Sequence, residues 1–140
     1  MPAGCTFCDV VDRAAPAHLV FEDPDTLAFL DRRPVFKGHV LLVPRRHVAV
    51  LADLPPELVA PLFTVAQRLS RAVVDGLGAQ GSFVAVNNVV SQSVPHLHVH
   101  VVPRAKGDGL RGFFWPRTKY ADEAEAAGYA ARLGAAMRAG

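Results

Sequence analysis

Three of the chain's six histidines stand within one short run, HLHVHVVPR: His96, His98 and His100. Side chains on a strand alternate between its faces, so positions i, i+2 and i+4 share one side. On such a strand the three imidazoles form a single surface, with neighbouring Cβ atoms roughly 6.6–7 Å apart. Leu97, Val99 and Val101 then point the other way, into a core. Pro103, which has no backbone N–H, is expected to close the strand.

Three chemistries suit that face. A strand that merely happens to carry histidine is the blandest, and strict alternation of three argues against it. A metal site is the second, since His-x-His on a strand can hold zinc. Three ligands along one straight strand, however, lie too far apart to meet at one ion through bonds of ~2 Å. Two of them could share an ion with ligands from elsewhere. Nucleophilic catalysis is the third, because a neutral imidazole attacks phosphorus well near pH 7. It requires an acceptor that holds one ring nitrogen as N–H, donors around the developing phosphoryl charge, and a proton for the leaving group. The loop NNVVSQSVP, just before the strand, supplies Asn87, Gln92, Ser93 and backbone amides.

A second constellation is the pair Cys5 and Cys8 in CTFC. Its spacing suits two ligands of a structural zinc, which needs four N or S donors in a tetrahedron. It equally suits a redox pair or two ordinary thiols.

The elements that must position these residues follow from pattern. Residues 6–13 suit a short helix. HLVFED and TLAFLD read as two strands joined at Pro24 and Asp25, and GHVLLVP as a third, bounded by Gly38 and Pro44. Leu58, Leu62, Val65, Leu69, Val73 and Leu77 recur at helical spacing over 57–77. Asp53 and Glu57 suit the positive end of that helix, and Gly78 stops it. SFVAVNN is a fourth strand and the histidine run the fifth. The alanine-rich tail places Asp122, Glu123 and Glu125 early and Arg132 and Arg138 late, as a helix dipole favours, although Gly128 and Gly134 weaken the pattern. This order predicts an α+β domain: a five-stranded antiparallel sheet with its helices on one side.

With 140 residues, 51% hydrophobic and 20% charged, the chain is expected to be one globular domain, 1–140, with its core at about 5–106 and an extension at 107–140. A net charge of +2 is too small to argue for nucleic-acid binding in bulk. Lys37, Arg45, Arg46, Arg104 and Lys106 flank strand ends and read as solvated surface charges. No apolar run reaches the length of a membrane span, and the N-terminus has no secretory pattern, so a cytoplasmic, reducing setting is expected.

The stretch SQSVPHLHVHVVPR resembles the signature of the histidine triad (HIT) family, His-φ-His-φ-His-φ-φ with φ apolar. CTFCDVV, FED, LAFLD, GHVLLVPRRH and the helix follow in the family's order, so the resemblance covers about residues 5–106. It implies an antiparallel sheet with two helices, a homodimer, and a nucleotide substrate with purine favoured. The implied activity is a nucleotide hydrolase or nucleotidyltransferase, attacking the α-phosphate of a nucleoside phosphoramidate or dinucleoside polyphosphate through a nucleotidyl-histidine intermediate. A nucleotide- or metal-binding module without turnover is the alternative. Carried over by position, the resemblance makes His98 the nucleophile, with His100, His39 and Ser93 completing the catalytic group. It implies that Asp31 holds the ribose hydroxyls, that Gln92, Ser93 and His100 meet the phosphate, that Asn87 contacts the substrate region, and that Phe7, Val10 and Phe29 form the base pocket. In relatives with the N-terminal cysteine pair, it implies one structural zinc held by Cys5, Cys8, His47 and His96. His18 has no role in this scheme.

There are departures. Val89 and Ser91 stand where the family often has glycine, which narrows the phosphate loop. PRAKGDG is similar to the dinucleoside-polyphosphate-hydrolysing branch, whereas FFWPR is similar to the phosphoramidate-hydrolysing branch. The leaving group, whether amine, nucleotide or sugar phosphate, is not decided by these residues.

Overall fold

Apolar residues at every position, rather than every second one, mark a strand that is covered on both faces. Val40–Val43 has that pattern, and the whole strand is buried. The computed structural model describes residues 4–110 and 117–139. They fall into two compact units that divide between Asp108 and Gly109. In the first unit, β1 (Leu19–Glu22), β2 (Thr26–Leu30), β3 (Val40–Pro44), β4 (Gly81–Val86) and β5 (Val99–Arg104) form one antiparallel sheet in the order β1-β2-β3-β5-β4. The histidine-bearing strand is therefore an interior one.

Two helices cover this sheet, α1 (Thr6–Val11) and α2 (Pro56–Leu77). They lie against opposite faces, not on one side as the order of elements suggested. Val40 and Leu42 join Leu62, Val65, Leu69 and Val73 of α2, while Leu41 and Val43 join Phe7, Cys8 and Val10 of α1. The reason is the strand period of two: a fully apolar strand exposes half its side chains unless something lies on each face. The α2 stripe follows the i, i+3, i+4 rule, and each fully buried Leu or Val in it contributes about 1.5–3 kcal/mol. Gly78 ends α2 in a left-handed conformation (φ 72°), its N–H reaching the Val74 carbonyl at 3.0 Å while the Ala79 N–H reaches the Val73 carbonyl at 3.3 Å.

Two details of the histidine run differ from expectation. The ladder begins at Val99, so His96 and His98 lie just before it, although alternation continues: Leu97, Val99 and Val101 all enter the α2-side core. Pro103 does not close β5 but sits within it, opposite Ser82. It is tolerated because Val101 already pairs with Val40, the first residue of β3, so Pro103 lies beyond the end of that neighbour.

In the second unit, α3 (Glu123–Ala139) forms despite Gly128 and Gly134. Asp122 Oδ1 accepts the Glu125 N–H at 2.8 Å, and Glu125 Oε1 accepts the Ala121 N–H at 2.8 Å, which satisfies the helix start. Among the described residues no helix is long and apolar enough to cross a membrane. Most of FFWPR, including Trp115, lies outside the described residues.

The loop from β4 to β5 carries backbone strain. Val89 (φ 68°) and Ser91 (φ 61°) both occupy the left-handed region, which a β-branched residue rarely adopts. Gln92 clamps this loop by accepting the Val89 N–H at 2.9 Å and donating to the Ala49 carbonyl at 2.6 Å. Asn88 Oδ1 accepts the Leu51 N–H at 2.8 Å. Left-handed backbone costs an L residue roughly 1–2 kcal/mol, against about 0.5–1 for the extra freedom glycine loses on folding. Val89→Gly is accordingly expected to raise unfolding stability by about 0.5–1 kcal/mol. Urea denaturation in which the variant is less stable than the parent would refute that account of the loop.

Candidate active site and metal centre

The α1 face of the sheet gathers nearly every residue singled out for chemistry. Because Leu41 pairs with His100, their side chains emerge on the same side, toward α1. His98 is buried, and its Nδ1 lies 2.8 Å from the His96 carbonyl oxygen. A carbonyl only accepts, so the hydrogen sits on Nδ1 and the lone pair on Nε2. That backbone oxygen is the acceptor which nucleophilic use of an imidazole requires.

A second chain of bonds fixes His100. The Val35 N–H donates to His39 Nδ1 at 3.1 Å, which places the His39 hydrogen on Nε2. His39 Nε2 then donates to His100 Nδ1 at 2.9 Å, leaving His100 with an N–H at Nε2. Both rings are held neutral near pH 7. Burial lowers the His39 pKa, only partly offset by Asp31, and burial with His98 and His39 nearby lowers that of His100 to about 4. Asp31, at the end of β2, is half-buried, with one oxygen 3.7 Å from His39 Nδ1 and the other accepting the Arg33 N–H.

Phe7, Val10 and Phe29 share one buried cluster beside these rings. Phe7 sets its edge against His98 at 5.0 Å between centroids and against Phe29 at 5.4 Å. Asn87 and Ser93 are exposed on the β4–β5 loop, whereas the Gln92 amide is committed to holding that loop. His18 is exposed.

On the same face, Cys5, Cys8, His47 and His96 turn four donor atoms toward one point, all within 4.8 Å of one another. The Nδ1 atoms of His47 and His96 are 3.2 Å apart. His96 Nδ1 is 3.5 Å from each sulfur, and His47 Nδ1 is 3.3 Å from Cys8 Sγ. Zinc bonds of about 2.0–2.1 Å to nitrogen and 2.3 Å to sulfur imply tetrahedral edges of roughly 3.3 and 3.5 Å. The donor set and its spacing fit such an ion. His96 Nε2 donates to the Pro44 carbonyl at 2.9 Å, the outer bond that orients a histidine ligand. Burial and the neighbouring Cys5 push the Cys8 thiol up to about 11, the opposite of an activated redox thiol.

Sequence reasoning assembled both clusters and missed the backbone atoms that set their tautomers: the His96 carbonyl and the Val35 amide. No residue type signals either. It missed Asn88 as well, whose neighbour Asn87 drew the attention.

The sequence profile of the HIT domain matches residues 12–107. A HIT-like protein of Mycobacterium tuberculosis is 40% identical over 108 residues, 76% of this chain and 75% of that protein. The adenosine 5'-monophosphoramidase of Saccharomyces cerevisiae is 31% identical over 118 residues, 83% of this chain and 72% of that one. A solved zinc-bound histidine triad protein of Mycobacterium smegmatis superposes with a TM-score of 0.73 at 39% identity, covering 95% of this chain and 97% of that one. With that match and the histidine strand at its centre, the chain belongs to the HIT family.

Proposed function

We propose that the chain is a nucleotide hydrolase or nucleotidyltransferase in which His98 Nε2 attacks the α-phosphorus of a nucleoside phosphoramidate or dinucleoside polyphosphate. The observation that carries this is the 2.8 Å bond from His98 Nδ1 to the His96 carbonyl, which leaves the Nε2 lone pair free. Attack forms an N–P bond and breaks the bond to the leaving group, which takes a proton by way of the Ser93 hydroxyl. Water then cleaves the N–P bond, releasing the nucleoside monophosphate and restoring His98. His100 Nε2–H and the loop amides donate to the phosphoryl oxygens as charge builds on them. His39 acts through His100 by fixing its tautomer. Asp31 takes the ribose hydroxyls, and Phe7, Val10 and Phe29 form the wall against a base, for which a purine offers the larger face.

The His98→Asn variant should bind nucleoside monophosphate about as tightly as the parent and lose turnover by several orders of magnitude. Rapid denaturation of the parent during turnover should trap an acid-labile nucleotidyl group on His98, visible by mass spectrometry. Near-parent turnover by the variant would remove His98 as nucleophile and leave a binding module in its place.

Zinc, one per chain, is proposed at Cys5, Cys8, His47 and His96, where it would tie the N-terminal helix to the sheet. Elemental analysis of protein purified without chelator should find about one equivalent, and its removal should lower the melting temperature. No metal in such a preparation would refute the assignment.

A homodimer is proposed through the outer side of α2 and the edge strand β4, where Val59, Val74, Leu77 and Val84 are exposed. Light scattering at micromolar concentration should give twice the chain mass of 15.0 kDa, and a value at the single-chain mass would reject the dimer.

A further inference from the structure

One residue belongs to both halves of the site. The His96 ring is held at both nitrogens, Nδ1 facing the cysteine–histidine cluster and Nε2 donating to the Pro44 carbonyl at 2.9 Å. Its own carbonyl oxygen accepts the His98 Nδ1–H at 2.8 Å. A ring fixed at both ends fixes the backbone that bears it, and so the direction of that carbonyl. A second path runs through α1. Cys5 is both a donor of the cluster and the N-cap of the helix, its sulfur accepting the Cys8 N–H at 3.3 Å. Two residues on, Phe7 sets its edge against His98 at 5.0 Å and His96 at 6.1 Å.

We infer that His96 is a positioning residue for the nucleophile, and that metal occupancy of the Cys5–Cys8–His47–His96 cluster fixes the tautomer and orientation of His98. The inference rests on the proposed role of His98. Its physical basis is the chain of constraints just given. With no ion between them, the protonated thiols and the two rings keep only weak S–H···N and N–H···N contacts at 3.2–3.5 Å in place of coordinate bonds. The His96 ring is then held less firmly at Nδ1, and its carbonyl is freer to turn. A hydrogen bond weakens steeply as it bends. Neutral imidazole has two tautomers, and only the acceptor selects between them. Molecules whose hydrogen moves to Nε2 have no lone pair at the attacking atom. Binding of nucleotide depends on other groups, so the loss falls on kcat and spares KM.

The test uses the full chain labelled with 15N at histidine, in three states: zinc-loaded, metal-free after dialysis against chelator, and reloaded. Two-bond 1H–15N correlation spectra read the tautomer of each ring directly, with or without turnover. The loaded and reloaded states should show His98 as the Nδ1–H form alone, and the metal-free state should show a shift toward Nε2–H. In the same samples kcat should fall roughly tenfold to a hundredfold without metal, with KM held within about twofold, the scale on which outer contacts of a metal site act. An unchanged His98 tautomer in the folded metal-free chain overturns the inference whatever the activity does. Should the metal-free chain unfold, cobalt replaces zinc, and the visible bands of the parent are compared with those of His98→Ala. Coupling is reciprocal, so deletion of the ring must perturb the bands, and identical bands overturn the inference. If the loaded chain turns over no nucleotide, the proposed function fails, while the tautomer readout still decides the coupling.

Discussion

β5 runs between β3 and β4, and both of its faces are covered, so each residue from Leu97 to Val101 has one of two environments and no third. Odd positions go to the α2-side core, where any polar group would be stranded. Even positions go to the α1 side, among sulfurs and imidazoles. A slip of one residue would exchange the two sets completely, placing His98 among Leu62, Val65 and Leu69. The penalty for burying unpaired imidazoles there, against burial of valine and leucine, sets the register of the strand. The chemistry therefore depends on packing that the chemical residues do not themselves make.

Much of this was legible in the sequence because periods are legible. The alternation at 96–101 placed the triad, the 3.6-residue stripe placed α2, and the turn residues bounded the strands to within one or two positions. The opposite placement of α1 and α2 was also written in the chain, in the unbroken Val40–Val43 run, but element order spoke for one side and drew the reading away from it. What had no signature were contacts made by backbone atoms. The His96 carbonyl and the Val35 amide decide where the hydrogens of His98, His39 and His100 lie, yet every residue has a carbonyl and an amide. Gln92 illustrates the same gap. Its type suited phosphate contact, and its amide instead holds the loop that would make that contact.

The valine and serine found in place of glycine take on physical meaning in that loop. Val89 and Ser91 adopt the left-handed backbone that glycine would adopt freely, so the loop keeps its path although the residues disfavour it. The path is over-determined by the Gln92 and Asn88 side chains. Strain held by surrounding bonds is what a loop shows when its shape matters more than its own comfort. Here the shaped segment is the one that leads from β4 into the run that carries His98.

The two helices solve their anchoring in different ways. α2 has 22 residues and buries Leu62, Val65, Ala66, Leu69 and Val73, enough apolar contact to hold it without help. α1 has six residues, fewer than an isolated helix needs to overcome nucleation, and buries only Phe7, Cys8 and Val10. Yet α1 carries the ring that leans on His98. A helix so short would fray if apolar packing were its sole restraint, and Phe7 would wander with it. Cys5, at its N-cap, and Cys8, one turn on, both face His96 and His47, so the zinc proposed at that point would grip the helix at its start and along its buried side. An ion held by Cys5 and Cys8 of α1 with His47 and His96 would do for α1 what the buried stripe of Leu62, Val65, Ala66, Leu69 and Val73 does for α2, and it would do so within two residues of His98.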